Sequence, residues 1–216
     1  MSAPGPASGI VKVCGLTSRE DAAWAIDCGA DWLGFIVHGT SPRLLAPERA
    51  GEIVAALPGA TAVAVMVGVS PEEAWTLARA MGASRVQLHD VDAAGWPRDF
   101  PLPCAFAVGV DEDGRLLREP APEPHLLMLD TADATRAGGT GRPFPWHAAA
   151  PIAALRPVLL AGGLDGGNVA EAITAARPFG VDASSRLERA PGAKDPEKVR
   201  RFVAAAREAF ATNLGH

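Results

Sequence analysis

Eight short apolar runs, separated by stretches of helical character, constrain the fold of this chain more than any other feature. The runs cover residues 10–13, 32–37, 62–67, 85–88, 104–110, 126–129, 158–161 and 180–183. Most are continuously apolar instead of alternating, the pattern of parallel strands covered on both faces. Between them, Ser18 is placed to cap a helix over 19–28, with Asp21 in its first turn. Pro47 opens a helix to about 57, Pro71 opens one to about 81, and 147–155, 168–176 and 196–211 read as later helices. The fourth and fifth crossovers are weak. Residues 93–98 make a short stretch and 111–124 hold three prolines and many charges, so one of the two is expected to be abbreviated or irregular.

Eight strands with seven or eight crossovers predict an α/β chain closed into a (β/α)8 TIM barrel. The alternative, an open doubly wound sheet, usually has fewer strands at this length. The chain has 216 residues, of which 48% are hydrophobic and 21% charged, enough to bury one substantial core. No Pro/Gly/Ser-rich linker divides it, so a single domain is expected. The expected layout is a flexible lead-in over 1–9, the barrel over 10–211 and a tail over 212–216.

The formal net charge of -5 argues against non-specific binding to nucleic acid or to an anionic membrane surface, while leaving room for a local positive site for a small anion. No apolar run approaches a membrane span, and the opening residues lack the basic and apolar regions of a signal peptide. Cys14, Cys28 and Cys104 form an odd, low cysteine count that fits reduced thiols in a cytoplasm. Metal-type Cys/His spacing, a Walker loop and G-x-G-x-x-G after a strand are all missing from the sequence, so neither a metal nor a cofactor is expected.

In a barrel of this kind the chemistry gathers where strands end and loops begin. Strand one ends at Cys14-Gly15, and strand two is followed by His38 and Ser41-Pro42-Arg43. Strand four ends at Gln87-Leu88-His89, and strand six at Asp130-Thr131, followed by Gly138-Gly139-Thr140-Gly141. Strand seven ends at Gly162-Gly163, and strand eight supplies Asp182, Ser184 and Ser185. Cys14 and Asp130 can exchange protons. Arg43 can clamp a planar anion such as a carboxylate with its forked donors. The loops at Gly162-Gly163 and Ser184-Ser185 can present N–H groups and hydroxyls to a phosphate. Each residue also has a plain structural reading. Cys14 is a small core residue, Asp130 a cap or ion-pair partner, Arg43 a surface charge, His89 a hydrogen-bonder beneath the site, and Gly138–Gly141 a mobile turn. Cys28 and Cys104 are read as packing.

Together these segments resemble the phosphoribosylanthranilate isomerase family of tryptophan biosynthesis. The matching stretches are Val11-Lys12-Val13-Cys14-Gly15-Leu16-Thr17, Gly29-Ala30-Asp31 with Gly34-Phe35, Ser41-Pro42-Arg43, and Val86-Gln87-Leu88-His89. Leu129-Asp130, Gly138-Gly139-Thr140-Gly141, Leu160-Ala161-Gly162-Gly163-Leu164, Val181-Asp182 with Ser184-Ser185, and Pro191-Gly192 with Lys194-Asp195 continue them, in order over roughly residues 10 to 207. The resemblance implies a cofactor-free Amadori rearrangement with Asp130 as general acid and Cys14 as general base. It implies that Arg43 holds the anthranilate carboxylate, that His89 and Asp182 contribute to substrate binding, and that Gly162, Gly163, Ser184 and Ser185 hold the phosphate. The implied partner is a small phosphorylated substrate and the implied state a monomer or homodimer.

Four positions depart from the family pattern. Arg186 stands where a Gly usually follows Ser-Ser, either straining the loop or adding a contact to the phosphate. Asp90 replaces a usual Gly, Leu44 a usual aromatic, and Gly68 a usual Asn. These changes leave two alternatives to weigh: an Amadori-type paralogue acting on a related aminoaldose phosphate, and a non-catalytic phosphometabolite-binding barrel.

Overall fold

The computed structural model describes residues 9–131 and 144–213. Eight parallel strands follow one another around a closed barrel: β1 (Ile10–Val13), β2 (Trp32–Ile36), β3 (Thr61–Val67), β4 (Arg85–His89), β5 (Cys104–Val110), β6 (Leu126–Thr131), β7 (Val158–Leu160) and β8 (Gly180–Ala183). β8 pairs with β1, which closes the ring, with Lys12 opposite Asp182 in the register. The predicted closed barrel is therefore the observed one. Strand β6 runs two residues beyond its expected end, which brings Asp130 into the strand itself.

Alternate residues of each strand serve two cores. Outward side chains such as Val11, Phe35, Met66, Leu88, Phe106 and Leu160 join the helices in one large cluster. Inward side chains (Trp32, Val63, Val65, Met128, Leu159 and Ala161, together with Cys14) form a second cluster inside the barrel. Burial on both faces explains why the strand sequences read as unbroken apolar runs.

The helices begin where their caps predict. In α1 (Arg19–Asp27), the Ser18 hydroxyl accepts the Asp21 N–H at 3.1 Å. Both α2 (Pro47–Ala55) and α3 (Pro71–Met81) open on proline, whose missing N–H costs nothing there. The helix expected over 147–155 is a 3-10 turn, Trp146–Ala149, followed by the short α4 (Ala150–Ala153). α5 (Val169–Ala176) and α6 (Pro196–Asn213) complete the outer layer.

Sequence reasoning expected one irregular crossover, and the structure has two: neither the β4–β5 nor the β5–β6 connection contains a helix. Pro97, Pro101 and Pro103 deny a helix in the first, and Pro120, Pro122 and Pro124 in the second. Aromatic side chains cover the barrel instead. Trp96 is 5% exposed and packs edge-on against Phe106 at 5.6 Å between centroids, with Phe100 at 5.4 Å. A second element the sequence reading lacked follows β8: a 3-10 turn, Ser185–Leu187, and a hairpin of β9 (Glu188–Ala190) and β10 (Ala193–Lys194).

At the closing seam, a methyl on Gly180 would sit 2.7 Å from the Ile10 carbonyl oxygen and 2.8 Å from Ile10 Cβ. Gly180→Ala should therefore push β8 off β1 and lower stability by about 1–3 kcal/mol. Urea denaturation will read this; an unchanged midpoint would show that the seam tolerates a side chain there.

Candidate active site

Lys12 is fully buried, a lysine in the middle of an apolar strand. Its Nζ donates to Asp182 Oδ1 at 2.7 Å across the β1–β8 seam. Two residues on, Cys14 points to the same inner face and is 5% exposed. Room for both comes from β2. A methyl on Gly34 would lie 2.7 Å from Cys14 Sγ and 3.0 Å from Lys12 Nζ. The Cys14 N–H is fixed by the Ala183 carbonyl at 2.9 Å, so the residue is held by β8 although it lies just beyond β1. Burial pushes the Cys14 thiol up, and the Lys12 ammonium pulls against that rise without cancelling it.

Asp130 lies at the end of β6, in register with Gly109. Two residues earlier, Met128 belongs to the inner cluster that contains Cys14, so strand alternation turns Asp130 toward the same lumen. Cys14, just past β1, and Asp130, on β6, are thus separated by β7 and β8 and face a shared mouth.

Gly15 has φ 71, and a methyl there would meet Arg43 Cδ at 2.5 Å and Ser184 Oγ at 2.7 Å. The turn after Cys14 therefore brings Arg43 and Ser184 to one corner. Arg43 makes the forked interaction expected of it, but with a carboxylate of this chain: Nε and Nη2 donate to Glu188 Oε1 and Oε2 at 2.6 and 2.7 Å. Glu188 also accepts from Lys194 Nζ at 2.9 Å, and Lys194 donates further to the Ser184 carbonyl at 3.1 Å. Burial would raise the Glu188 carboxyl; hydrogen bonds from Arg43 and Lys194 outweigh it and hold Glu188 below the usual carboxylate range.

Gly162 and Gly163, with φ 91 and 67, form a left-handed turn after β7 that side chains would strain. The Asn168 side chain donates to the Gly163 carbonyl at 3.0 Å and ties this turn to the start of α5. Ser185 and Arg186 are exposed in the 3-10 turn after β8. Asp182 is 5% exposed and spent on Lys12. His89 meets the Gln87 amide through Nε2 at 2.8 Å. Gly138–Gly141 lie outside the described residues.

The family model for N-(5'phosphoribosyl)anthranilate (PRA) isomerase matches residues 11–205. The chain belongs to this family. An N-(5'-phosphoribosyl)anthranilate isomerase from Rubrobacter xylanophilus is 43% identical over 202 residues, covering 91% of this chain and 98% of that one. The crystal structure of phosphoribosyl anthranilate isomerase from Thermotoga maritima has a TM-score of 0.79 at 32% identity, covering 93% of this chain and 99% of that one. A structure of the isomerase in complex with reduced 1-(o-carboxyphenylamino)-1-deoxyribulose 5-phosphate has a TM-score of 0.74 at 30% identity, with 93% and 99% covered.

Three of the four departures from the isomerase family's pattern bear on backbone conformation, and nothing in the structure explains Leu44. Asp90 keeps the left-handed conformation of the glycine it replaces, with φ 53, which Asp tolerates better than most residues. Gly68, at φ 67, stands where the family's usual Asn would face the same demand. Arg186 is not among the described residues with positive φ, so the strain expected of it does not arise. Lys12, Glu188 and Lys194 were not singled out from sequence as site residues. For Lys12 the signal was present: a lysine inside an apolar parallel strand has to be paired. Glu188 and Lys194 carry no such mark, because the hairpin that buries them was not foreseen.

Burial in the lumen, aided by the field of the Lys12 cation, pushes the His89 imidazole down to about 4 from 6.5. Between those values the unfolded chain takes a proton that the folded chain refuses. The His89 contribution to stability is therefore present above pH 6.5 and is lost as pH drops toward 4, at a cost of about 3 kcal/mol. Urea titrations of His89→Gln should lose that share of the pH slope; an unaltered slope would show that His89 is not the neutral buried group.

Proposed function

We propose that this chain rearranges N-(5'-phosphoribosyl)anthranilate to 1-(2-carboxyphenylamino)-1-deoxyribulose 5-phosphate, the aldose–ketose isomerisation for which its family is named. The observation that carries the reading is the convergence of Cys14 and Asp130 on one lumen, on strands set well apart around the ring. Protonated Asp130 gives its proton to the furanose ring oxygen, the C1'–O bond breaks, and the nitrogen lone pair forms the Schiff base. Cys14 thiolate then takes the C2' proton, and the released electron pair makes the C1'–C2' double bond of an enolamine. Tautomerisation gives the ketone. Two groups placed on different sides of one sugar suffice for these transfers.

In this reading the substrate enters at the C-terminal mouth with its phosphate on the loops of Gly162, Gly163, Ser184 and Ser185, where Arg186 adds a guanidinium. Arg43, held flat by Glu188 through Nε and Nη2, offers its Nη1 edge to the anthranilate carboxylate. His89 and Asp182 shape the floor of the site. A thiol base calls for a reducing compartment, which fits the cytoplasm. Among the described residues no helix is long and apolar enough to cross a membrane.

The direct test follows the loss of anthranilate-type fluorescence on adding substrate to purified protein, with rescue of a tryptophan auxotroph lacking this step as the cellular counterpart. Cys14→Ala and Asp130→Asn should each lower kcat by about 100- to 10,000-fold; growth supported by Cys14→Ala would overturn the assignment of the base. Arg186→Ala should raise KM with kcat nearly kept. A substrate that binds with no fluorescence loss would favour a binding barrel.

A further inference from the structure

The reading above leaves a difficulty: a thiol buried in an apolar cluster is a poor place to form an anion. We infer that Lys12 is the positioning residue of the proton-abstracting thiol, its ammonium seated beside Cys14 Sγ in the space left by Gly34 and anchored there by Asp182. This inference rests on the proposed isomerase chemistry and adds a residue to it.

The geometry comes first. Cys14 Sγ and Lys12 Nζ both border the position where a Gly34 methyl would be, at 2.7 and 3.0 Å. An ammonium has three donors, and Asp182 Oδ1 takes one of them at 2.7 Å. With Lys12 paired to Asp182, loss of the thiol proton leaves a net charge of one negative; the Lys12 ammonium favours that anion and the Asp182 carboxylate opposes it, the ammonium having the larger effect. The other cations near Cys14 are committed elsewhere. Arg43 spends Nε and Nη2 on Glu188, and Lys194 spends its ammonium on Glu188 and the Ser184 carbonyl. The groups acting on Cys14 are thus Lys12 from β1, Asp182 from β8, Lys194 from β10 and Arg43 from the loop after β2. His89 and Asp130 enter the same lumen from β4 and β6. Burial works to strip the Lys12 proton, but Asp182 and Cys14 more than offset it, so Lys12 stays charged. In the transfer itself the C2'–H bond breaks, the proton passes to Sγ and the electron pair to the C1'–C2' bond. Lys12 neither gains nor loses a proton.

The test reads the thiolate directly, by its ultraviolet absorbance as a function of pH, taking each protein against its own Cys14→Ala counterpart. Lys12→Met combined with Asp182→Asn removes the pair together and avoids stranding a buried charge. The thiolate midpoint should rise by about one pH unit or more, which is about tenfold less thiolate at neutral pH. The acid limb of kcat/KM should move with it, and kcat should fall. Lys12→Arg should restore much of both. Gly34→Ala, which keeps both charges but forces Sγ and Nζ apart, should move the midpoint in the same direction and serves if the double variant does not fold. A midpoint that stays in place while activity falls would make Lys12 a structural residue and overturn the inference. Wild-type protein inert toward N-(5'-phosphoribosyl)anthranilate would instead overturn the isomerase reading, with the absorbance titration still deciding whether Lys12 governs the thiol.

Discussion

The ion pair of Lys12 and Asp182 is the constraint around which this molecule is organised. It spans the only junction at which the last strand meets the first, with both partners nearly or wholly removed from water. Losing either partner would leave a buried charge, at a cost of about 3–5 kcal/mol. The pair therefore fixes the β1–β8 register as well as joining the strands. That register in turn sets where the β1 backbone ends and how it turns. The Cys14 N–H bonds to Ala183, and Gly15 then turns close to Ser184.

A second charged group does for the rim what the first does for the seam. Glu188 accepts from Arg43 and Lys194 together, which couples the loop after β2 to the hairpin after β8. The same hairpin is tied to the first crossover, because the Lys194 N–H donates to Asp21 Oδ2 at 3.0 Å and Thr17 donates to the Gly192 carbonyl. Three loops that are distant in sequence are thereby held as one wall of the mouth. Held along one edge by Glu188, the Arg43 guanidinium has its plane set by the chain itself.

The opposite side of the barrel is built by other means. With two consecutive crossovers lacking helices, the outer faces of β4 and β5 are covered by Trp96, Phe100 and His125 packed around Phe106. Arg156 supports that cover from outside, donating to the Ala121 carbonyl at 2.6 Å and to the His125 carbonyl. Large rings supply the buried area that a helix would otherwise contribute.

The sequence by itself determined the barrel, its strand order, the cap of α1 and the starts of α2 and α3, because these rest on local patterns: continuous apolar runs, Ser18 at a helix start, and prolines at first turns. It also placed Cys14, Arg43, Asp130, Gly162 and Ser184 at strand ends, where strand position alone implies a shared mouth. Only the tertiary structure decided what those residues touch. That Arg43 meets Glu188 and that Asp182 is spent on Lys12 depend on contacts between segments 145 and 170 residues apart. No local pattern encodes such pairings. They follow from barrel closure, which brings the first strand against the last and leaves each buried charge to find its partner there.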